Sequence, residues 1–218
     1  MMLTLISTVA TLVMAAQPAA APVVPAGWHV RADGAGAHAG HATPGTPVSA
    51  DVSFVDMPPG WHITTGPSVI LFHPERTASG AYSVRSESFL FDPGTRREGY
   101  GLIIGGRDLD GPGQRYTYFL IRRSGDFMIR KRIGETVTTV RDWTPHPAIL
   151  QYDQRGDAHT AKNVLGVDVS ATEAVFLVNG AEVARVARAD VDTDGVVGLR
   201  VNHRLNLHVS TLDVSPAK

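Results

Sequence analysis

From Asp51 onward, short runs of residues that favour β-strands alternate with turn signals, and this rhythm constrains the fold more than any other feature of the chain. The dipeptide Asn179-Gly180 is the strongest hairpin signal, because both residues tolerate the positive φ of a type I′ turn. The predicted strands are Ser68–Phe72, Ala81–Phe91, Tyr100–Arg107, Arg115–Arg123, Phe127–Ile133, Thr136–Trp143, Val164–Val169, Val175–Val178, Ala181–Val186, Val196–Val201 and Leu205–Val214. With almost no helical period, the pattern predicts an all-β fold, a two-sheet antiparallel β-sandwich or jelly roll.

Alternation within the predicted strands indicates which side chains face the core. In Arg115–Arg123, we predict that Phe119 and Ile121 face the second sheet. The segment 101–106, GLIIGG, is apolar on both faces and is typical of a central strand. For Asn206–Val214, the prediction places Leu207, Val209 and Thr211 on one face and His208, Ser210 and Leu212 on the other.

The N-terminal 30 residues contain no Asp, Glu, Lys or Arg. The apolar run Leu3–Ala16 has the length of a signal-peptide core, and small residues follow it. We predict a signal peptide at residues 1–21, and a secreted or periplasmic protein with no membrane span in the mature chain; the alternative is an uncleaved anchor. Residues 22–50 are interpreted as a short strand near Trp28–Val30 and a flexible Gly/Ala/Pro-rich linker, and residues 51–218 as the sandwich domain.

Composition excludes several classes of site. The chain has no cysteine, so it has no disulfide, no thiol nucleophile and no cysteine-based zinc site. Its net charge is −1, which gives no basic footprint for nucleic acid, and we predict no nucleic-acid partner. The oligomeric state is left open.

The hairpin around Phe176–Gly180 and the closing segment Gly195–Val214 resemble the concanavalin A-like lectin/glucanase superfamily. The nearest branch is similar to the laminin G-like and 3-keto-disaccharide hydrolase-like domains of exported bacterial proteins. This resemblance implies two packed antiparallel sheets with a concave face that commonly binds carbohydrate. Glucanases of this fold carry a Glu-x-Asp-x-x-Glu strand, and the present chain contains no Glu-x-Asp sequence.

A ligand-binding site is predicted from two strand ends. Arg107 and Asp108 follow the apolar strand that ends in Gly105-Gly106, and Asn202 and His203 follow Val196–Val201. If both strand ends share one rim, these four side chains surround one pocket for a polyhydroxylated or carboxylated ligand. Glycines without side chains would leave space for that ligand. The alternative is two unrelated turns at opposite ends of the sandwich.

Weaker chemical signals accompany this site. We predict no cofactor, with calcium as the alternative, since Asp190, Asp192 and Asp194 follow the spacing of a calcium loop but also suit a turn. The sequence Asp108-x-Asp110-Gly111 likewise suits either the binding of calcium or sugar hydroxyls, or a solvent-exposed turn. Asn206 and His208 suit sugar hydroxyls, Glu87 and Glu98 are a candidate acid/base pair, and His38-x-x-His41 alone supplies too few ligands for zinc.

The sequence therefore predicts an exported, lectin-like protein that binds a glycan or a related polyhydroxylated ligand without catalysis. One alternative is a hydrolase or lyase that acts on a modified (3-keto) glycoside. Another is a structural or adhesive domain that contacts a second protein.

Overall fold

The computed structural model describes residues 23–33 and 41–217, so the predicted signal peptide and His38 lie outside the described residues. These residues form fourteen strands and two short 3₁₀ helices, Tyr152–Gln154 and Arg188–Asp190. The strands are β1 (His29–Ala32), β2 (Val52–Asp56), β3 (Trp61–Thr65), β4 (Val69–Ala78), β5 (Tyr82–Leu90), β6 (Gly99–Arg107), β7 (Arg115–Arg122), β8 (Asp126–Ile133), β9 (Thr136–Pro145), β10 (Ala161–Val169), β11 (Glu173–Val178), β12 (Ala181–Ala187), β13 (Gly195–Val201) and β14 (Asn206–Pro216).

Two antiparallel sheets of seven strands each make up the fold. The first sheet has the order β1-β4-β13-β6-β7-β8-β9, and the second has the order β12-β11-β10-β5-β14-β3-β2. This arrangement confirms the predicted two-sheet sandwich of jelly-roll type, with β6 near the middle of its sheet as its apolar faces indicate. Within the described part of the chain, no helix is long and apolar enough to cross a membrane.

The core lies between the inner faces of the two sheets. Phe119 on β7 and Phe176 on β11 meet there with ring centroids 5.2 Å apart, and both side chains are buried. Ile121 is also in this core, so the predicted inward face of β7 is confirmed. Because successive side chains of a strand alternate, Tyr116 and Tyr118 point to the opposite, outer face of the first sheet.

β1 and the described residues beside it pack as part of the sandwich. β1 pairs with β4 at the edge of the first sheet, and Ala42 forms a backbone bridge with Val30. Trp28 is 2% exposed and lies in edge-on contact with Phe54 and Trp61 of the second sheet. Trp28 therefore belongs to the core, as does the short strand predicted beside it. The linker predicted within residues 22–50 includes residues 34–40, which lie outside the described residues, and it stays a prediction.

The glycines at the end of β6 form a close backbone contact. Gly105 has φ +64, and a Cβ at this position would lie 2.3 Å from the backbone oxygen of Asp192. A Cβ on Gly106 would meet Leu109 at 2.9 Å. The pairing of β6 with β7 shifts register between Ile104 and Arg107, as at a β-bulge. The interpretation of these glycines as open space for a ligand is therefore wrong: neighbouring atoms fill the space.

A second bulge changes the predicted faces of β14. The register with β5 shifts between Val209 and Thr211, which adds one residue to the strand. Leu207 and Val209 face the core as predicted, but the next core residue is Leu212 rather than Thr211. The extra residue reverses the alternation after the bulge, so the prediction fails for Thr211 and Leu212.

The predicted Asn-Gly turn joins β11 to β12. Asn179 has φ +51 and Gly180 has φ +83, as a type I′ turn requires. The Asn179 side chain also accepts a hydrogen bond from Val164 N at 2.8 Å and donates one to Ala148 O at 2.8 Å. The turn is thereby fastened to β10 and to the loop that precedes β10.

We predict that Gly105→Ala destabilises the fold by about 3 kcal/mol, because the new methyl group overlaps backbone atoms in addition to the unfavourable positive φ. Gly80→Ala is the matched control: Gly80 has φ +70 but no atom within 4 Å of its Cβ position, so we expect a loss of about 1 kcal/mol. Urea denaturation measures both values. Equal losses in the two variants would contradict the close contact at Gly105.

Candidate functional site

The outer face of the second sheet carries a row of polar and aromatic side chains. Lys162 on β10 is directly opposite Phe89 on β5, Phe89 is opposite His208 on β14, and His208 is opposite His62 on β3. We call these four residues the outer row. Directly opposite pairs have neighbouring side chains in an antiparallel sheet, so the row crosses four adjacent strands without interruption.

Phe89 lies between two different partners in the outer row. Lys162 Nζ is 5.5 Å from the centre of the Phe89 ring, and the ring of His208 is 5.9 Å from it on the other side. Phe89 is half-buried, and β5 alternates strictly between inward and outward residues. A partly exposed aromatic ring with polar groups on both sides is a surface that an amphipathic ligand can contact.

The two histidines of the row have hydrogen-bonding capacity that the described residues do not use. Nδ1 of His62 and Nδ1 of His208 are both buried, and neither has a hydrogen-bond partner among residues 23–33 and 41–217. Burial, together with the positive charge that His208 can carry, lowers the pKa of His62 below its usual value. His62 is therefore neutral at pH 7, and a neutral imidazole offers one donor and one acceptor.

Glu87 adds a carboxylate beside the outer row. It is in contact with the ammonium group of Lys162 and accepts a 2.9 Å hydrogen bond from the hydroxyl of Ser210. The hydrogen bond from Lys162 is the largest influence on this group and keeps the pKa of Glu87 below its usual value. The ionised carboxylate accepts hydrogen bonds at neutral pH and has no proton to donate.

Glu98, the predicted acid/base partner of Glu87, lies elsewhere. It precedes β6 of the first sheet, and its carboxylate is 3.6 Å from Nδ1 of His203. Glu87 instead points outward from β5 of the second sheet. The two carboxylates therefore lie in different surroundings with different partners.

The outer face continues beyond Glu87 as a shallow depression with charged walls. Arg85 on β5 and Asp168 on β10 form an ion pair at 2.7 Å, and Arg185 on β12 binds Glu173 at 2.7 Å. These pairs are partly exposed, so they contribute little to stability. Paired charges that are open to solvent can instead form hydrogen bonds to a bound molecule.

The four residues predicted to form one pocket lie at opposite ends of the first sheet. β6 and β13 are antiparallel, with Val196 opposite Gly106 and Val201 opposite Tyr100. Arg107 is the last residue of β6 and Asp108 follows it, while Asn202 and His203 follow the end of β13, beside the start of β6. Seven residues of extended chain separate these ends, or about 23 Å. The hypothesis of one shared pocket is therefore wrong, because the C-terminal ends of two antiparallel neighbouring strands lie at opposite rims of the sheet.

Each half of that predicted site has local partners. Arg107 Nε donates to Asp194 O at 3.1 Å, and Asp108 accepts from the backbone N–H of Gly113 at 2.9 Å within its own turn. At the other rim, Asn202 O accepts from Thr65 Oγ1 at 2.6 Å. Ligand binding by either pair stays a prediction that the geometry alone does not test.

His203 lies beside Ser68, with its Nδ1 3.1 Å from Ser68 Oγ. The four Asn and His residues between positions 202 and 208 therefore lie in two different places. Asn202 and His203 belong to the rim, whereas Asn206 and His208 belong to β14, and His208 points to the outer face of the second sheet.

The aspartates of the predicted calcium loop contact arginines. Asp192 Oδ1 lies 2.7 Å from Arg115, and Asp194 Oδ1 lies 2.7 Å from Arg188. Asp190 belongs to the second 3₁₀ helix. The arrangement suits the turn interpretation, and calcium stays an untested alternative.

The outer face of the first sheet differs, because it carries a buried cluster of charged and aromatic side chains. Asp33 is buried there against Arg132, Arg200 and the hydroxyl of Tyr116. Burial lowers the pKa of Arg200 to about 10, so this guanidinium remains charged at pH 7. Its carbon Cζ lies 4.6 Å from the centre of the Tyr118 ring, which is 4% exposed. Asp33 therefore pairs with both arginines, while Nε of Arg200 has no hydrogen-bond partner among the described residues.

Comparison with solved structures shows the same fold. The carbohydrate-binding module CBM66 from Bacillus subtilis superimposes with a TM-score of 0.57 at 11% identity, over 75% of this chain and 91% of that chain. A Bacillus subtilis protein of unknown function with a galectin-like fold superimposes with a TM-score of 0.61 at 11% identity, over 88% of this chain and 90% of that chain.

Both likenesses confirm the two-sheet sandwich fold that the sequence resemblance implied. At this identity, the likeness concerns the fold. No protein-family model matches the chain, and no curated protein matches it.

We predict that acid destabilises the protein partly through His62. Its folded-state pKa is lowered, so the unfolded chain binds a proton more readily, and stability falls as the pH drops below 6.5. His62→Gln should lose less thermal stability than the original protein between pH 7 and pH 5. Melting temperatures measured across this range check the prediction, with the exposed His159→Gln as control. The same loss in all three proteins would refute it.

We predict that Asp33→Asn destabilises the fold by about 3 kcal/mol or more, because Arg132 and Arg200 then lose the charge that compensates their burial. Asp157→Asn, at an exposed loop position, is the control and should have a negligible effect. Urea denaturation at pH 7 provides the measurement. A loss below about 1 kcal/mol for Asp33→Asn would show that the arginines do not depend on this carboxylate.

Proposed function

We propose that this protein is an exported, lectin-like module that binds a glycan, without catalysis, on the outer face of its second sheet. The observation that carries the proposal is the outer row, in which a flat apolar ring lies between an ammonium group and two imidazoles on four neighbouring strands. A pyranose ring has the matching character, because its C–H face is apolar and its rim carries hydroxyl groups.

The chemistry of the surrounding groups supports this assignment. Lys162 donates hydrogen bonds, Glu87 accepts them, and neutral His62 does both, so each orientation of a hydroxyl finds a partner. His62 and His208 are each half-buried on this face, and rotation of their rings would bring the buried, partnerless Nδ1 atoms to the surface to bind sugar hydroxyls. Phe89 would supply the contact with the C–H face.

The rigidity of the sheet also favours binding. β5 is the middle strand of its sheet, and β10 and β14 flank it on both sides. Side chains that project from paired central strands are already in place before a ligand arrives, so binding orders little of the protein. Similarity of fold to a protein described as a carbohydrate-binding module adds independent support.

The absence of catalysis is proposed from the state of Glu87. Its carboxylate is held ionised by Lys162 and Ser210, so it cannot be the general acid of a glycosidase. Glu98, the predicted second carboxyl group, lies instead beside His203 at the first sheet. Export is proposed from residues 1–21, and it would present the outer row to glycans outside the cytoplasm.

We expect the protein to bind a polysaccharide or oligosaccharide on a glycan array, and titration calorimetry on the strongest hit should give one site per chain. Phe89→Ala and His208→Ala should each weaken that binding at least tenfold, because each removes a direct contact with the sugar. Circular dichroism and melting temperature verify that the variants are folded.

Asp108→Ala and His203→Ala are the control variants, because they alter the two rims of the first sheet and leave the outer row intact. Loss of binding in these variants, with full binding by Phe89→Ala, would place the site at a rim and refute the outer face. No binding to any glycan would refute the lectin function. Release of an aglycone from a 3-keto glycoside would refute the absence of catalysis.

A further inference from the structure

Two histidines and one aspartate from distant parts of the chain meet at the edge of the first sheet. Nδ1 of His29 and Nδ1 of His41 each lie 3.1 Å from a carboxylate oxygen of Asp110. The two imidazole rings lie 5.4 Å apart, at an angle of 76°. One potential ligand atom from each residue lies within 4.8 Å of the other two, and no other such group of three occurs within residues 23–33 and 41–217.

The backbone brings these three residues together through specific contacts. His29 is on β1, and His41 precedes Ala42, whose backbone exchanges two hydrogen bonds of 2.9 Å with Val30. Arg31, two residues after His29, donates to the backbone oxygens of Leu109 and Gly111 at 2.6 and 2.7 Å. Arg31 thus attaches the loop to β1 through the residues immediately before and after Asp110.

The orientation of one imidazole is also fixed by packing. The His29 ring lies 5.2 Å from the ring of Phe72, which is 2% exposed. The side chain of His29 is 19% exposed, whereas those of His41 and Asp110 are 33% and 46% exposed. The cluster is accordingly held by the sheet on one side and open to solvent on the other.

Ligand type and spacing both suit a divalent transition metal. Two imidazole nitrogens and one carboxylate oxygen form a common three-residue donor set for Zn²⁺, with the fourth position left for water or another ligand. Bonds of about 2.0–2.2 Å to a tetrahedral zinc ion place neighbouring donor atoms roughly 3.3 Å apart. The observed separations from Asp110 Oδ1 are close to this value, at 3.4 Å to Nδ1 of His29 and 3.1 Å to Nδ1 of His41. Calcium is a poorer match because it prefers oxygen ligands.

We propose that His29, His41 and Asp110 form a zinc-binding site. The sequence analysis dismissed zinc because His38 and His41 alone supply too few ligands; in the structure, His41 finds its partners in His29 and Asp110, which are distant in sequence. The site lies at β1 and the loop between β6 and β7, away from the outer row, so it is independent of the proposed glycan site.

Zinc at this position would connect three segments of the chain. It would join the start of β1, the segment at His41 and the loop after β6, which are otherwise linked by backbone hydrogen bonds and Arg31. A ligand that binds only the folded state stabilises it, so zinc should raise the melting temperature. The chain has no cysteine, so thiolates cannot compete for the metal.

The test is titration of the untagged, chelator-treated full protein with Zn²⁺ by calorimetry. We expect one equivalent of zinc per chain and a rise in melting temperature of several degrees. Asp110→Asn keeps the size of the side chain but removes its charge, and should weaken zinc binding at least tenfold. His29→Ala should weaken it at least as much.

His159→Ala is the matched control, because this exposed histidine lies outside the cluster and its loss should leave zinc affinity unchanged. Binding of Co²⁺ in place of zinc, followed by its visible absorption, reports the coordination directly and does not depend on stability. Absence of stoichiometric zinc binding would overturn the proposal. It would equally be overturned if folded His29→Ala and Asp110→Asn proteins kept the original affinity.

Discussion

Apolar contact between the inner faces of the two sheets is the interaction on which the rest of the structure depends. Phe119 and Phe176 meet near its centre, and no disulfide supplements this core because the chain has no cysteine. Trp28 extends the same core beneath β1, so the N-terminal edge of the first sheet is held in place by burial. That edge carries His29, and its position depends on the packing beneath it.

The outer faces of the two sheets differ in what they leave available. On the first sheet, the Asp33 carboxylate forms ion pairs with Arg132 and Arg200 beside buried tyrosines. On the second sheet, Phe89 is half-buried, and neighbouring imidazoles keep unused hydrogen-bonding capacity. The two outer faces can differ in this way because the inner core already supplies the cohesion of the sandwich.

Local sequence patterns predicted much of the fold and little of the site. The predicted strands, the turn at Asn179 and the inward direction of Phe119 follow from neighbours in sequence, and the structure confirms them. It adds β2 and β3, which the sequence analysis did not predict. The site depends on the register between strands, which local patterns do not contain. Antiparallel pairing places Asp108 and His203 at opposite rims. One bulge in β14 turns the side chain of Leu212 from the predicted face to the core. Only the fold brings His29 to Asp110, 81 residues further along the chain.

The turn at Asn179 shows that one residue can serve two structural purposes. Its backbone makes the reversal between β11 and β12, and its amide side chain ties that reversal to β10 and to Ala148. Glycine would satisfy the first purpose and aspartate would lack the donor for the second. Asn179 therefore connects the hairpin at the edge of the second sheet to the neighbouring chain. The need for an asparagine side chain comes from these surrounding segments and not from the turn itself.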